Sequence, residues 1–161
     1  MAIYMKADNV QGNVQANGYQ GWIKINHFNF AGISNVLDNL VGKTGDRITR
    51  RPDFGEIFIN KPADASSIYL FERSYTGEVI NDVQFHFVST NSPIQTYEIW
   101  ELKNVLISQV CVEHSYDATC PTEDYSLNYT SFQRTYQQRF SNGSLGNPVI
   151  TGYDLSKASK L

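Results

Sequence analysis

Short runs of β-branched and aromatic residues, separated by turn residues, follow one another along most of this chain. Such runs are typical of half-buried strands, in which successive side chains point to opposite faces of a sheet. No internal repeat or linker interrupts them, and 161 residues suffice for one domain with its own core. The pattern predicts strands at residues 3–8, 19–30, 54–61, 78–89, 95–114 (bent near 103–104), 123–140 and 149–155.

Residues 64–75 depart from this alternation, because their apolar side chains recur at spacings of three and four and so share one face of a helix. Asp64 or Ser66 can cap the first turn, and Gly77 lies where a left-handed residue would end the helix. A helix this short is marginal in water without tertiary burial. We therefore expect its apolar face to pack against the sheets; this face consists of Ile68, Phe71 and Tyr75.

Two of the predicted strands change phase midway. Apolar residues pass from odd to even positions between Ile25 and Phe28, and again between Tyr129 and Phe132. Because an ideal strand sends these two sets to opposite faces, we expect a bulge or burial on both faces. The predicted fold is mainly β: a compact β-barrel of two packed sheets with one short flanking α-helix at about 64–75, in a single domain at 1–161.

Residues 31–53 form an extended loop in this interpretation. A connection of this length without obvious structure inside a small domain is usually functional or an interface arm. Its apolar residues would otherwise form an exposed patch without a purpose, and three arginines follow them. We expect this loop to contribute to contacts between subunits, through Val36, Leu37, Leu40, Val41, Arg47, Arg50 and Arg51.

Composition and charge exclude several classes of protein. With 41% apolar and 18% charged residues, the chain belongs among globular proteins. Its net charge of −3 offers no general attraction for phosphate backbones or anionic lipids, so nucleic acid is not an expected partner. No apolar run reaches the length of a membrane span or of a signal-peptide core. We expect no membrane insertion, and any export to proceed without a cleaved leader.

The sequence offers no catalytic or metal-binding pattern. The three histidines lie in separate predicted strands, and Cys111, His114 and Cys120 lack a fourth ligand. Glu98 and Glu101 resemble a glycosidase pair, but residues three apart in a strand face opposite sides. We therefore expect no enzymatic activity, no metal and no cofactor.

The two cysteines flank a predicted hairpin loop. A cross-strand disulfide between Cys111 and Cys120 is conceivable there. Two cysteines do not make a disulfide framework, and nothing else indicates an oxidising compartment, so free thiols are favoured.

The order of these segments resembles the haemolysin-coregulated protein (Hcp) family, whose members are tube subunits of type VI secretion systems. The resemblance is one of pattern and extends over nearly the whole chain. It rests on the opening strand, on the predicted helix and on Gly77. It also rests on residues 10–14, 18–23, 97–102, 104–108, 121–129 and 152–155.

Membership would imply a β-barrel with one flanking helix, and hexameric rings stacked into a tube. It would also imply a contractile sheath, a VgrG-type spike and effector proteins as partners. The chain would reside in the bacterial cytoplasm before assembly and then be secreted without a signal peptide. The loop at 31–53 departs from many relatives, which are rich in Gly and His there.

A carbohydrate-binding β-sandwich module is the alternative. Exposed Trp22, Trp100 and tyrosines could stack on sugar rings, although aromatic residues in strands more often belong to a core. The oligomeric mass separates the two hypotheses, since a hexamer favours the tube and a monomer retained by polysaccharide favours the module.

Overall fold

The computed structural model describes residues 1–34, 52–90 and 93–161, together with the backbone of 37–38 and 48–49. Antiparallel strands dominate these residues, and one helix follows β8. The elements are β1 (Ala2–Ala7), β2 (Ile23–Ile25), β3 (His27–Phe30), β4 (Ile33–Ser34), β5 (Leu37–Asp38), β6 (Ile48–Thr49), β7 (Asp53–Phe54), β8 (Ile57–Pro62), α1 (Ser67–Thr76), β9 (Ile80–Ser89), β10 (Gln95–Glu113), β11 (Thr122–Asn128), β12 (Ser131–Arg139), β13 (Leu145–Asp154) and β14 (Ser159–Lys160).

Two larger sheets enclose the core. The first has the order β2-β1-β9-β10-β12-β13-β14, and the second has the order β3-β8-β11-β10. We call them sheet A and sheet B. The predicted mainly β fold, with two packed sheets and a short helix, is confirmed. Hydrogen bonds do not close the two sheets into one continuous barrel.

Strand β10 belongs to both sheets. It pairs with β12 as far as Lys103 and with β9 as far as Val105, and from Leu106 onward it pairs with β11. Between Lys103 and Leu106, Asn104 has a left-handed backbone with φ 50°, a conformation that Asn tolerates better than most residues. Its side-chain amide donates to Thr130 Oγ1 at 3.0 Å. The bend expected near 103–104 is therefore where the strand passes from one sheet to the other.

The phase changes have a cause other than the expected bulge. Residues 19–30 divide at Asn26, because β2 pairs with β1 in sheet A while β3 pairs with β8 in sheet B. Residues 123–140 likewise divide at Tyr129 and Thr130, which separate β11 in sheet B from β12 in sheet A. Phe28 and Phe132, the first apolar residues after each change, pack on the core because each half of the segment lies in a different sheet, whereas Tyr136 further along β12 is exposed.

Aromatic rings form the centre of the core between the sheets. Phe28 of sheet B lies 5.0 Å from Phe85 and 5.5 Å from Trp100 of sheet A, measured between ring centroids. Trp100 stacks at 6.0 Å on Phe132. Tilted and edge-on ring pairs at these distances stabilise a core beyond the area that they bury.

The helix turns its predicted apolar face to solvent. Ile68, Phe71 and Tyr75 are 75%, 46% and 71% exposed, so the expectation that they pack on the sheets was wrong. The side that faces the sheets carries Ser67 and Leu70, of which Leu70 is only 1% exposed. Gly77 ends the helix with φ 70°, as expected, and its N–H donates to the Arg73 carbonyl.

Small side chains accompany Leu70 on the inner side of the helix. Ser66 and Ser67 let the helix backbone approach the sheets closely, and Leu70 fills the remaining space. Three large apolar side chains on that side would hold the helix away from the core. The observed orientation therefore leaves an apolar stripe on the surface, where it contributes little to the stability of one chain.

We predict that Leu70→Ala lowers the free energy of unfolding by about 2–5 kcal/mol, because it leaves a cavity beneath the helix. Phe71→Ala is the matched control on the solvent side, where substitutions typically change stability by about 0.5 kcal/mol or less. Urea unfolding of both variants measures the difference. A loss for Phe71→Ala as large as that for Leu70→Ala would contradict the observed helix orientation.

Candidate assembly surface

The exposed side of α1 is apolar and aromatic. Ile68, Phe71 and Tyr75 lie one turn apart along it, and the rings of Phe71 and Tyr75 meet edge-on at 6.0 Å. We call these three residues the helix patch. Contiguous exposed apolar side chains of this kind often mark a protein–protein contact.

A buried cation holds the start of α1 in place. Lys61 at the end of β8 is 0% exposed, and its Nζ lies 2.9 Å from Glu123 Oε2 and 3.0 Å from Asp64 Oδ1. The same Nζ donates to Ser67 Oγ at 3.0 Å. A buried ammonium group is tolerated only when it is paired and hydrogen-bonded, and Lys61 meets both conditions.

Tyr125 completes this network from the neighbouring strand. Its hydroxyl donates to Glu123 Oε2 at 3.0 Å. Burial, followed by the nearby Glu123 carboxylate, raises the pKa of Tyr125 well above its ordinary value, so the hydroxyl keeps its proton. The network joins β8, β11 and the first turn of α1, and it thereby fixes which face of the helix meets solvent.

A second exposed apolar group lies on the hairpin of β12 and β13. Tyr136 and Val149 are directly paired across the two strands, and Phe140 follows at the hairpin end. All three are exposed, Val149 to 70%. We call them the hairpin patch. Beyond it, Arg139 Nη1 donates to Ser89 Oγ at 2.6 Å and ties the hairpin to the end of β9.

The interface residues proposed from the sequence cannot be compared with the structure. Val36, Leu40, Val41, Arg47, Arg50 and Arg51 lie outside the described residues, and Leu37 is described by its backbone in β5 alone. The backbone around them contains two short antiparallel ladders, β4 with β7 and β5 with β6. The connection at 31–53 therefore includes paired strands, which the sequence pattern did not predict.

The two tryptophans differ in their exposure, because only Trp22 is partly exposed to solvent. Trp100 is buried in the core, and its Nε1 donates to Glu98 Oε1 at 2.9 Å. Trp22 packs against His86 at 4.6 Å between centroids, and Lys6 Nζ lies over its ring at 6.0 Å. Burial, with a smaller effect of Lys6, lowers the pKa of His86 and so favours the neutral ring. The burial of Trp100 removes one of the two tryptophans on which the carbohydrate-binding alternative relied.

The carboxylates beside Trp100 point to opposite faces, as the strand geometry requires. Glu98 receives a hydrogen bond from Arg134 Nε at 2.7 Å, whereas Glu101 receives bonds from Gln84 and Gln133. Each carboxylate thus has structural partners. Within the described part of the chain, no group of three His, Cys, Asp or Glu side chains is placed to hold a metal ion.

The two thiols are not cross-strand partners. Both are free, and Cys111 faces Asp124 in the register of β10 and β11. Cys120 lies before β11 begins at Thr122 and is therefore outside the paired strands. The free thiols favoured by the sequence agree with this register.

A comparison with protein families identifies the fold. The family model described as "Type VI secretion system effector, Hcp" matches residues 4–136, which is most of the chain. The chain belongs to the Hcp family. The predicted family is thereby confirmed, and Hcp proteins are structural components of a secretion system and not a known class of enzymes. No curated protein sequence gives a significant match.

Solved structures agree with this assignment in fold. A type six secretion system protein shares 19% identity, with a TM-score of 0.93 over 99% of both chains. Hcp1 from Salmonella typhimurium shares 14% identity, with a TM-score of 0.77 over 99% of this chain and 98% of that one. A type VI secretion system effector from Yersinia pestis shares 18% identity, with a TM-score of 0.75 over 94% and 98%.

For this Hcp chain, none of the helical segments that the structure describes is long and apolar enough to cross a membrane. The helix patch and the hairpin patch were not recognised from the sequence as surface groups. The available signal for the first was the adjacent pair of small residues, Ser66 and Ser67, at the start of the helix. No local pattern connects Lys61 with Glu123, which lies 62 residues away.

We predict that Lys61→Met lowers the free energy of unfolding by about 3–5 kcal/mol, because it leaves the buried carboxylates of Glu123 and Asp64 without their cation. Lys103→Met is the matched control. Lys103 pairs with Asp82 at the surface, where an ion pair contributes about 0–1 kcal/mol. If urea unfolding showed the same small loss of unfolding free energy for Lys61→Met and Lys103→Met, the buried network would not hold the helix.

Proposed function

We propose that this chain is a structural subunit of a type VI secretion tube, which assembles into hexameric rings that stack into a channel. The match of the family model over residues 4–136 carries the proposal. The helix patch and the hairpin patch support it, because they leave apolar side chains exposed where another copy could cover them. The role is structural and requires no catalytic activity.

The proposed partners follow from membership of the family. They are further copies of the chain, a VgrG-type spike, a contractile sheath and effector proteins. The subunit would collect in the bacterial cytoplasm and leave the cell through the assembled machine. The net charge of −3 is consistent with protein partners rather than nucleic acid.

The loop at 31–53 has a proposed part in these contacts. Its ends are held together by β4 and β7, in which Ile33 pairs with Phe54 and Ser34 with Asp53. An arm anchored in this way can reach from the domain towards a neighbouring subunit. Its apolar side chains would be buried in such a contact, and its arginines would provide charge. We assign the contact to Val36, Leu37, Leu40, Val41, Arg47, Arg50 and Arg51.

We expect the purified protein to form a closed hexamer, with six times the 18.2 kDa mass of one chain. Light scattering coupled to size-exclusion chromatography measures this mass across micromolar to near-millimolar concentrations. A constant mass of one chain at every concentration would contradict the proposal. Retention of that monomer on polysaccharide would instead favour the carbohydrate-binding module.

We expect replacement of residues 35–51 by a short Gly/Ser linker to leave the fold intact and to weaken assembly. The paired strands at both ends lie about 4.8 Å apart, so a short linker can join them. Thermal unfolding checks the fold, and light scattering checks the mass. Ring formation equal to that of the wild type would count against a role for the loop.

A further inference from the structure

The chain contains two Asn-Gly pairs, and each lies in a turn at the surface. Asn17-Gly18 lies between β1 and β2, and Asn142-Gly143 lies in the hairpin of β12 and β13. Both asparagines are exposed, and both glycines have a left-handed backbone, with φ 83° and 84°. Because glycine has no Cβ, its amide nitrogen can approach the preceding side chain with little hindrance. The two pairs therefore share the same intrinsic chemistry.

Hydrogen bonds occupy both reacting groups of the hairpin pair. The Gly143 N–H donates to the Phe140 carbonyl at 3.0 Å and closes the turn. Asn142 Oδ1 accepts from the Ser144 N–H at 3.0 Å and from the Ser144 hydroxyl at 2.8 Å. Such an Asx turn fixes the side-chain amide relative to the backbone that follows it. The amide nitrogen and the side-chain carbonyl of this pair are thus held in separate contacts.

The same groups of the first pair have fewer contacts. The turn is closed by a different residue, because the Tyr19 N–H donates to the Ala16 carbonyl at 2.9 Å. The Gly18 N–H donates to Gln20 Oε1 at 3.2 Å, which is an exposed side-chain contact. Among the described residues, the Asn17 amide has no hydrogen-bond partner. Its side chain can therefore rotate towards the Gly18 nitrogen without breaking the bond that closes the turn.

We propose that Asn17 is a site of spontaneous deamidation. The Gly18 nitrogen loses its proton to hydroxide and attacks Asn17 Cγ, so that the N–Cγ bond forms and the Cγ–Nδ2 bond breaks. The Nδ2 group takes a proton from water and leaves as ammonia. Water then opens the resulting succinimide at either carbonyl, which gives aspartate or isoaspartate. The reaction needs only water and hydroxide, and it is independent of the proposed assembly.

The modification acts on a loop that is packed against sheet A. Tyr19, two residues after Asn17, is buried, and its ring lies 4.8 Å from Tyr4 and 5.7 Å from His86, measured between centroids. Asn17 lines the same cleft as Tyr19 and His86. Either product adds a negative charge to this cleft, and isoaspartate also lengthens the backbone within the turn. Both changes affect the contact that ties the loop to β1 and β9.

Peptide mapping of aged protein tests the site. Purified wild type is incubated at mildly alkaline pH and body temperature, and trypsin then separates the two pairs, because it cleaves after Lys6, Lys24, Arg139 and Lys157. Mass spectrometry of the fragments locates aspartate and isoaspartate. We expect residue 17 to react about tenfold faster than residue 142, because the hairpin pair must first break an additional backbone hydrogen bond. Equal rates, or a faster reaction at residue 142, would overturn the inference.

The same chain unfolded in guanidinium chloride is the matched control. Without their turns, both pairs are flexible Asn-Gly sequences, so we expect them to react at similar rates. A preference for residue 17 that persists in the unfolded chain would overturn the structural account. So would a folded protein in which neither pair reacts over the time in which the unfolded chain does. We expect Asn17→Gln to abolish the modification at residue 17 and to leave the rate at residue 142 unchanged.

Discussion

The passage of one strand through both sheets is the constraint on which the rest of this structure depends. Strand β10 supplies Trp100 and Leu102 to the core from sheet A and then continues into sheet B after Asn104. Because the strand is continuous, the two sheets are fixed relative to each other. The chain also crosses between the sheets at Asn26 and at Tyr129–Thr130, and aromatic rings fill the space between the sheets.

The helix covers one end of this enclosure, and a polar network rather than an apolar face determines how it lies. Lys61, Glu123 and Asp64 occupy the space below its first turn, so the small residues and Leu70 face inward. Burying an ion pair is a poor source of stability compared with packed apolar groups, but it can fix one orientation. The consequence is an aromatic stripe on the surface, which contributes little to the stability of the folded monomer and is available for the proposed assembly.

Much of the fold could be predicted from the alternation of apolar and polar residues, because a period of two distinguishes strands from the single helix. The bend near Lys103 and the end of the helix at Gly77 were also predictable, since each depends on local backbone preferences. The orientation of the helix was not predictable, because it depends on Lys61 and Glu123, which are distant in sequence. In addition, an apolar stripe indicates that a helix face is suited to burial, but it does not indicate which surface covers that face. The phase changes were visible, but their cause was a change of sheet, which depends on pairing with distant strands.

The central claim is that apolar surface left exposed on one chain is covered by other copies in a closed ring. Electron microscopy of the purified protein, with averaging of the particles seen end-on, tests it most directly. The account predicts rings with sixfold symmetry and a central opening. Particles no larger than one chain, or irregular aggregates without symmetry, across the same range of concentrations would contradict it.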